Sequence, residues 1–335
     1  MTTGADRPTV VIVGAGMAGL VAARHLDAFF RVVVVDKGRG VGGRMATRRI
    51  DGATLDHGAQ FITTHTESFA AMMGDWVEAG VAASWFRGRV GPDGVSATDG
   101  HTRYRGVISM NAIAKYLATG LDVRTASLVS AIGVRSDQPG WILEMAEGPA
   151  LDADAVIATA PVPQTMTLLD NGGVALSTED AAALGAVAYE PCLALMVVLD
   201  GPSGLDGAGA VDPESGPIDW LADNAVKGIS AVPAVTIHAT AEFSRQRWES
   251  SEEEIARELL DAAGLDAAPV AGAITVQRWR YARPSVVHPD AHLRLAGFAP
   301  FVCAGDAFGG AKVEGAALSG ASAARAVLDA LGVQS

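Results

Sequence analysis

The residues best placed to do chemistry stand near the start of the chain. Gly14, Gly16 and Gly19 lie in VVIVGAGMAGLVAARHL, and Asp36 ends the run RVVVVD. Glycines at this spacing let the chain turn sharply, let backbone N–H groups approach a pyrophosphate, and let a helix pack closely on a strand. The positive end of the helix dipole then faces the phosphates. A carboxylate at the end of the second strand accepts hydrogen bonds from an adenosine ribose. The chemistry indicated is dinucleotide binding. The motif alone leaves the dinucleotide open, and glycines also mark ordinary turns.

The elements around these residues agree with that reading. Val10 to Val13 and Val32 to Val35 are short β-branched runs, expected as strands buried on both faces. Between them Met17, Leu20, Val21 and Leu26 fall on one face of a helix. Strand, tight turn, helix and strand form a mononucleotide-binding βαβ unit.

A length of 335 residues predicts two domains, or one large domain with insertions. With 49% hydrophobic and 19% charged residues the chain can bury large cores. A net charge of −13, with no dense block of Lys and Arg, argues against a nucleic-acid partner and against anionic membranes. MTTGADRP is too short for a signal peptide, and no stretch of apolar residues is long enough for a transmembrane helix. Cys192 and Cys303 sit in apolar runs and are expected as small buried hydrophobes in a reducing cytoplasm.

Further along, KGRGVGGRMATRR adds a second glycine- and arginine-rich loop, in which Arg44 is placed to meet a pyrophosphate. Arg48 and Arg49 read as solvated charges. LDHGAQFIT, residues 55 to 63, suits a backbone passing beside a flat ring. A helix is expected over Ser68 to Gly80, followed by short strands with Gly and Asp turns. GVISMNAIAKYLATGL reads as helical, with Ile108, Ile113 and Leu117 as core. Residues 123 to 146 read as two antiparallel strands around Ser136 to Gly140, and LDADAVIATAPVPQ as a buried strand. Residues 165 to 290 mix helices (Thr178 to Gly185, Ser251 to Ala263) with the strands CLALMVVLD, GPIDWLADN, AVTIHAT and AITVQRWRY, and SGLDGAGAVDPESGP is a loop. FVCAGD and the following small-residue stretch give a strand, a turn at Gly305 and Asp306, and a long terminal helix.

GAGMAG with Asp36, the GRGVGGR loop, the ATAP strand end and the terminal AGD…VEGA helix together resemble the flavin-dependent amine oxidase superfamily. Within it, KGRGVGGRMATRR, DHGAQFIT, IDWLADN, RWRYARP and KVEGAALSG are most similar to renalase-like enzymes. The resemblance implies an α/β fold: a doubly wound, Rossmann-type FAD domain (1–67, 106–164 and 291–335) and an α+β substrate domain with an antiparallel sheet (68–105 and 165–290). It implies a non-covalent FAD. Gly14, Gly16, Gly19, Asp36, Arg44, Gly58, Gln60, Val129 and Asp306 fall on cofactor positions, with Met17, Ala18, Lys37, Gly43, His57, Ala59, Ala160, Gly305 and Val313 beside them.

For activity, the resemblance implies oxidation of 2- and 6-dihydro isomers of NAD(P)H to NAD(P)⁺, with hydride passed to flavin N5 and O₂ reduced to H₂O₂. The sequence carries no hydrolytic triad and no metal spacing, which agrees with such chemistry. Asn224, His238, Trp279 and Tyr281 are the expected substrate-side residues. Each also has an ordinary reading as core or edge packing. Lys312 stands where many amine oxidases carry an aromatic, and a lysine there disfavours an ammonium ion; a plain surface lysine is the alternative. The expected partners are a small-molecule dinucleotide and O₂, in a monomer or homodimer. Two rivals stay open: an oxidase of amines or other small ring compounds, and a non-catalytic protein resembling GDP-dissociation inhibitors.

Overall fold

The computed structural model describes residues 7–91, 93–94, 96–265 and 270–333. Most of MTTGADRP lies outside them. By packing, the chain divides into two compact units. One comprises Met1–Gly43, Ala114–Ala188 and Pro284–Ser335, the other Arg44–Ile113 and Tyr189–Arg283. The expected division by ligand is a separate matter and groups residues 44–67 and 106–113 with the cofactor half.

The first unit is built on a six-stranded sheet. Its order is Leu293–Arg294, Phe301–Cys303, Ala155–Ala158, Thr9–Val13, Arg31–Val35 and Asp122–Arg124. All neighbours are parallel except the first pair. The valine-rich central strands are buried, as parallel strands covered on both faces must be. The helix Met17–Leu26 packs here, and so does the long helix Lys312–Ala330. Two glycines set how close they come. A Cβ on Gly19 would overlap the Gly14 carbonyl, and one on Gly320 would overlap the Ala18 carbonyl. A three-stranded antiparallel sheet (Val129–Val134, Trp141–Met145, Leu151–Ala153) completes the unit with the helices Val162–Asn171 and Thr178–Gly185.

The second unit has a five-stranded sheet: Ala210–Val211, Ile218–Asp223, Ala234–Ala239, Ala188–Leu199 and Val270–Val286. Alternation along Ala188–Leu199 makes two cores from one strand. Leu193, Leu195, Val197 and Leu199 pack with Ile255 and Leu259 of the helix Glu252–Ala262. Met196 and Val198 pack with Ala53 and Leu55 of the hairpin Thr47–Ile50/Ala53–Asp56. Local signals place the helix ends. Ser251 and Glu254 form a reciprocal capping box, and Thr66 Oγ1 accepts from Phe69 N at the start of Glu67–Glu78.

Three expectations change. The helix expected over 106–121 spans only Asn111–Ala118, and Ile108, expected in the core, is 62% exposed. The glycine-rich loop after Asp200 contains the short strand Ala210–Val211, paired with Leu221 and Ala222. Cys303 is buried as expected but Cys192 only partly so, and both are free thiols.

The contact at Gly320 yields a test. Gly320→Ala pushes a methyl group onto the Ala18 carbonyl, and overpacking of this kind costs about 2 kcal/mol. Urea titration is expected to show that loss, whereas Gly332→Ala, where no atom lies within 4 Å of the added carbon, isolates the cost of a positive φ.

Candidate cofactor and substrate site

In the first unit the glycine turn is organised by backbone contacts. Gly14 has φ +113°, and a Cβ there would strike Thr159 Oγ1, which itself donates to the carbonyls of Val13 and Gly14. Gly16 differs from its neighbours. It is the N-cap of Met17–Leu26, no side chain caps that helix, and nothing lies within 4 Å of a Cβ built on it. Open space in front of free helical N–H groups is what a phosphate needs. Met17, Ala18 and Gly19 supply the first turn.

Asp36 holds this turn. Its Oδ2 accepts from Ala15 N at 2.7 Å and its Oδ1 from Gly38 N at 2.6 Å, leaving lone pairs on both oxygens for a ribose. Gly42 N donates to Ala15 O at 2.8 Å, which brings Gly43 against Gly16, so the second glycine loop lies on the first. Lys37 Nζ donates to Gln164 Oε1 at 3.0 Å. Val129 opens the strand Val129–Val134 and is buried. At the other end of the chain, Ala304 N donates to Ala158 O, which places Gly305 and buried Asp306 near the strand end that leads to Ala160. Gly305 N donates to Ser319 Oγ at 2.8 Å. The helix beginning at Lys312 also lacks a side-chain cap, and Val313 is buried in its first turn. Exposed Lys312 has φ +76°, a left-handed backbone rarely taken by a residue with a Cβ. These residues fit a dinucleotide cofactor: two uncapped helix starts, open space at Gly16, and a carboxylate held at the second strand's end.

In the second unit the segment Asp56–Gln60 is the centre. Gly58 presses on the Arg44 carbonyl, which also accepts from Ala59 N at 2.8 Å. Arg44 Nη1 donates to Tyr281 O at 3.3 Å. His57 is 5% exposed and stacks on Trp279, with ring centroids 5.4 Å apart and planes 17° from parallel. Trp279 Nε1 donates to His57 O at 2.9 Å. Tyr281, two residues on, meets Tyr189 edge-on at 5.4 Å.

Gln60 Nε2 donates to the carbonyls of Asp56 (2.6 Å) and Gly58 (3.1 Å), which fixes the orientation of its amide. The same nitrogen lies 3.5 Å from His238 Nε2, which sets the imidazole beside the Gln60 amide. Burial pushes the His238 pKa down to about 4, aided by the Lys227 charge. Burial likewise pushes His57 down to about 4, with Arg48 and His238 adding to the effect. Both rings are neutral at pH 7. His57 Nδ1 and Gln60 Oε1 are buried without a hydrogen-bond partner among the described residues, positions that buried water commonly meets.

The structure thus brings together His57, Gln60, His238 and Trp279 in one unit, and Gly16, Asp36 and Gly43 in the other. Asn224, expected on the substrate side, follows the strand Ile218–Asp223 and is fully buried. Its Oδ1 accepts from Asp56 N, and its Nδ2 donates to Ala234 O and Thr236 Oγ1. Its amide therefore works inside the protein. Arg48, expected as a solvated charge, donates to Gln277 Oε1 at 3.2 Å. Two residues escape a reading of the sequence. Asp56 Oδ2 and Lys227 Nζ form an ion pair at 2.8 Å, both side chains fully buried. The one signal was Asp56's place in DHGAQFIT.

The neutral histidines carry a pH dependence. A histidine pKa lowered by folding leaves stability intact above the ordinary value near 6.5 and erodes it as pH falls toward 4. Between pH 7 and pH 5 each ring is expected to remove about 2 kcal/mol. Denaturant titrations of the wild type and His238→Gln at the two pH values check this; the variant should lose about half of the dependence.

Comparison with known proteins gives this geometry its family. Residues 12–76 match the NAD(P)-binding Rossmann-like domain, and residues 85–328 match the flavin containing amine oxidoreductase family. Mouse renalase is 25% identical over 320 residues, covering 89% of this chain and 92% of that protein. Putrescine oxidase of Kocuria rosea is 46% identical, but over 65 residues, 19% of this chain and 14% of that protein. Two solved structures share the fold. A protein from Exiguobacterium sp. 255-15, described as a protoporphyrinogen oxidase, superposes with a TM-score of 0.73 at 13% identity, covering 96% of this chain and 98% of that one. Putrescine oxidase with putrescine bound superposes at 0.69 and 16% identity, covering 96% and 99%. The chain belongs to the flavin containing amine oxidoreductase family and is an FAD-dependent oxidoreductase.

Proposed function

We propose that this oxidoreductase is a renalase-like oxidase of misreduced nicotinamide dinucleotides, converting 2- and 6-dihydro isomers of NAD(P)H to NAD(P)⁺ while O₂ becomes H₂O₂. The observation that carries the reading is the neutral ring wall of the second unit. His57 is stacked on Trp279, and His238 touches Gln60, with both imidazoles uncharged at pH 7. The sequence similarity to renalase runs along most of both proteins, whereas the sequence similarity to putrescine oxidase is confined to 65 residues, although the fold is shared throughout.

Bound FAD, held without a covalent link, supplies the two-electron acceptor. The protein's part is to bind and orient. Gly16 leaves room for phosphate, Asp36 takes the ribose, and Arg44 and Asp306 hold the cofactor further along. Trp279 and Tyr281 offer ring faces to a dihydropyridine, and the neutral imidazole of His238 offers a polar edge to its carboxamide. A dihydropyridine expels hydride with the lone pair of its own ring nitrogen, so no base with a pKa near 7 is required. On this reading the exposed Lys312 disfavours an ammonium substrate and favours a phosphate. The division of the chain into a cofactor domain and a substrate domain belongs to this proposal, as do the cytoplasmic setting and the monomer or homodimer state.

Peroxide release with the 2- and 6-dihydro isomers of NAD and NADP, set against a panel of amines that includes putrescine, tests the reading. Turnover of amines alone would overturn it. Lys312→Tyr is expected to raise KM for the dinucleotides about tenfold, a loss of about 1.4 kcal/mol of binding, with little change in kcat. Gly16→Val fills the open space at the first helix. Its extended backbone (φ −82°, ψ −174°) accepts a side chain, so the fold is expected to hold while FAD affinity, read by quenching of flavin fluorescence, falls by at least about a hundredfold.

A further inference from the structure

The most costly group in the second unit is one that the proposed chemistry does not use. Lys227 Nζ and Asp56 Oδ2 lie 2.8 Å apart with no exposure to solvent on either side chain. A buried ion pair is a poor source of stability, because removing two charges from water offsets most of their attraction. Burial accordingly drives the Lys227 pKa down while the adjacent carboxylate opposes the shift. Such a pair is better explained by what it holds in place.

Asp56 is a junction. Its Oδ1 accepts from Thr47 Oγ1 at 2.6 Å and from Met110 N at 3.0 Å, and its Oδ2 takes the lysine. Its backbone N donates to Asn224 Oδ1, and its backbone O accepts from Gln60 Nε2. Asn224 and Lys227 come from one tight turn, residues 223 to 228, which is itself fixed. Asp223 Oδ1 accepts from Ala225 N (2.7 Å) and Val226 N (3.0 Å), and its Oδ2 from Ser203 Oγ (2.6 Å). Lys227 N donates to Asp223 O, and the Trp85 ring lies 5.0 Å from Nζ. One rigid turn therefore grips Asp56 twice, by main chain through Asn224 and by side chain through Lys227. The residues that follow in sequence are His57, Gly58, Ala59 and Gln60.

We propose that Lys227 is a positioning residue for the cofactor- and substrate-facing segment 57–60, acting through Asp56 with Asn224 as the second jaw of the clamp. Rotation of the Asp56 peptide would carry away the carbonyl that orients Gln60 and swing the His57 ring off Trp279. This assignment rests on the reading of segment 57–60 as part of the flavin site.

The test separates positioning from stability. Lys227→Met leaves a buried carboxylate without its counter-ion and is expected to lower Tm. Asp56→Asn/Lys227→Met removes both charges, keeps the bonds from Thr47 and Met110, and is expected to regain most of the wild-type Tm. With the full-length protein loaded with FAD, the double variant should still bind FAD at least tenfold more weakly and show an altered visible circular dichroism band of the bound flavin. Wild-type FAD affinity and an unchanged band in a double variant of wild-type Tm would overturn the proposal and leave the flavin site standing. A wild-type protein that binds no FAD would remove the site itself. Thr47→Val covers the case in which the charge variants do not fold. It loses only the hydroxyl bond to Asp56 and should weaken FAD binding about threefold; an affinity within 1.5-fold of wild type would count against the clamp.

Discussion

Two helices of the first unit pack backbone on backbone, with no side chain between. The helix Met17–Leu26 is held against the Gly14 carbonyl at Gly19, and the helix Lys312–Ala330 is held against the Ala18 carbonyl at Gly320. Both approaches are closer than any Cβ allows. The other features of the glycine turn follow from this constraint. With the helix seated so low on the sheet, its free N–H groups open at Gly16, at the ends of the parallel strands where an α/β sheet binds its ligand. Asp36 then reaches back to Ala15 N and closes the turn.

The second unit solves a different problem. It must hold a short irregular segment, Asp56–Gln60, in one conformation without a helix or sheet to do so beyond the hairpin that leads into it. Side chains do that work: the paired charges of Asp56 and Lys227, the amides of Asn224 and Gln60, and the stacked rings of His57 and Trp279. A satisfied polar network in a low-dielectric interior specifies geometry more sharply than apolar packing does, and a broken one is correspondingly costly. The neutral state of both histidines belongs to the same environment, since burial next to Lys227 and Arg48 leaves no room for a further positive charge.

Much of the fold was legible in the sequence where its signals are local. The βαβ unit, the Thr178–Gly185 helix and the capped helix after Ser251 each announce themselves within one short stretch of sequence through periodicity, caps and glycines. What failed had no local signature. Ile108 looked like the first core position of a helix, but the helix begins only at Asn111, after the apolar pair Val107 and Ile108 has passed in an exposed turn. Asn224 stands out in the sequence, but its partners Asp56 and Thr236 come from other strands and leave no local mark. Lys227 was not singled out at all. A lysine reads as surface in any pattern analysis, and the carboxylate that justifies its burial stands 171 positions away.

The division of the chain between the two units bears on its synthesis. The backbone passes from one unit to the other after Gly43, Ile113, Ala188 and Arg283. The strand Thr9–Val13 is made long before Phe301–Cys303, which extends its sheet, and before Gly320, which seats its helix. The first unit cannot finish before the second has been made. The strand Ala155–Ala158 must wait, with one edge unpaired, for a partner still untranslated, which makes slow folding and a dependence on chaperones the expected companions of this architecture.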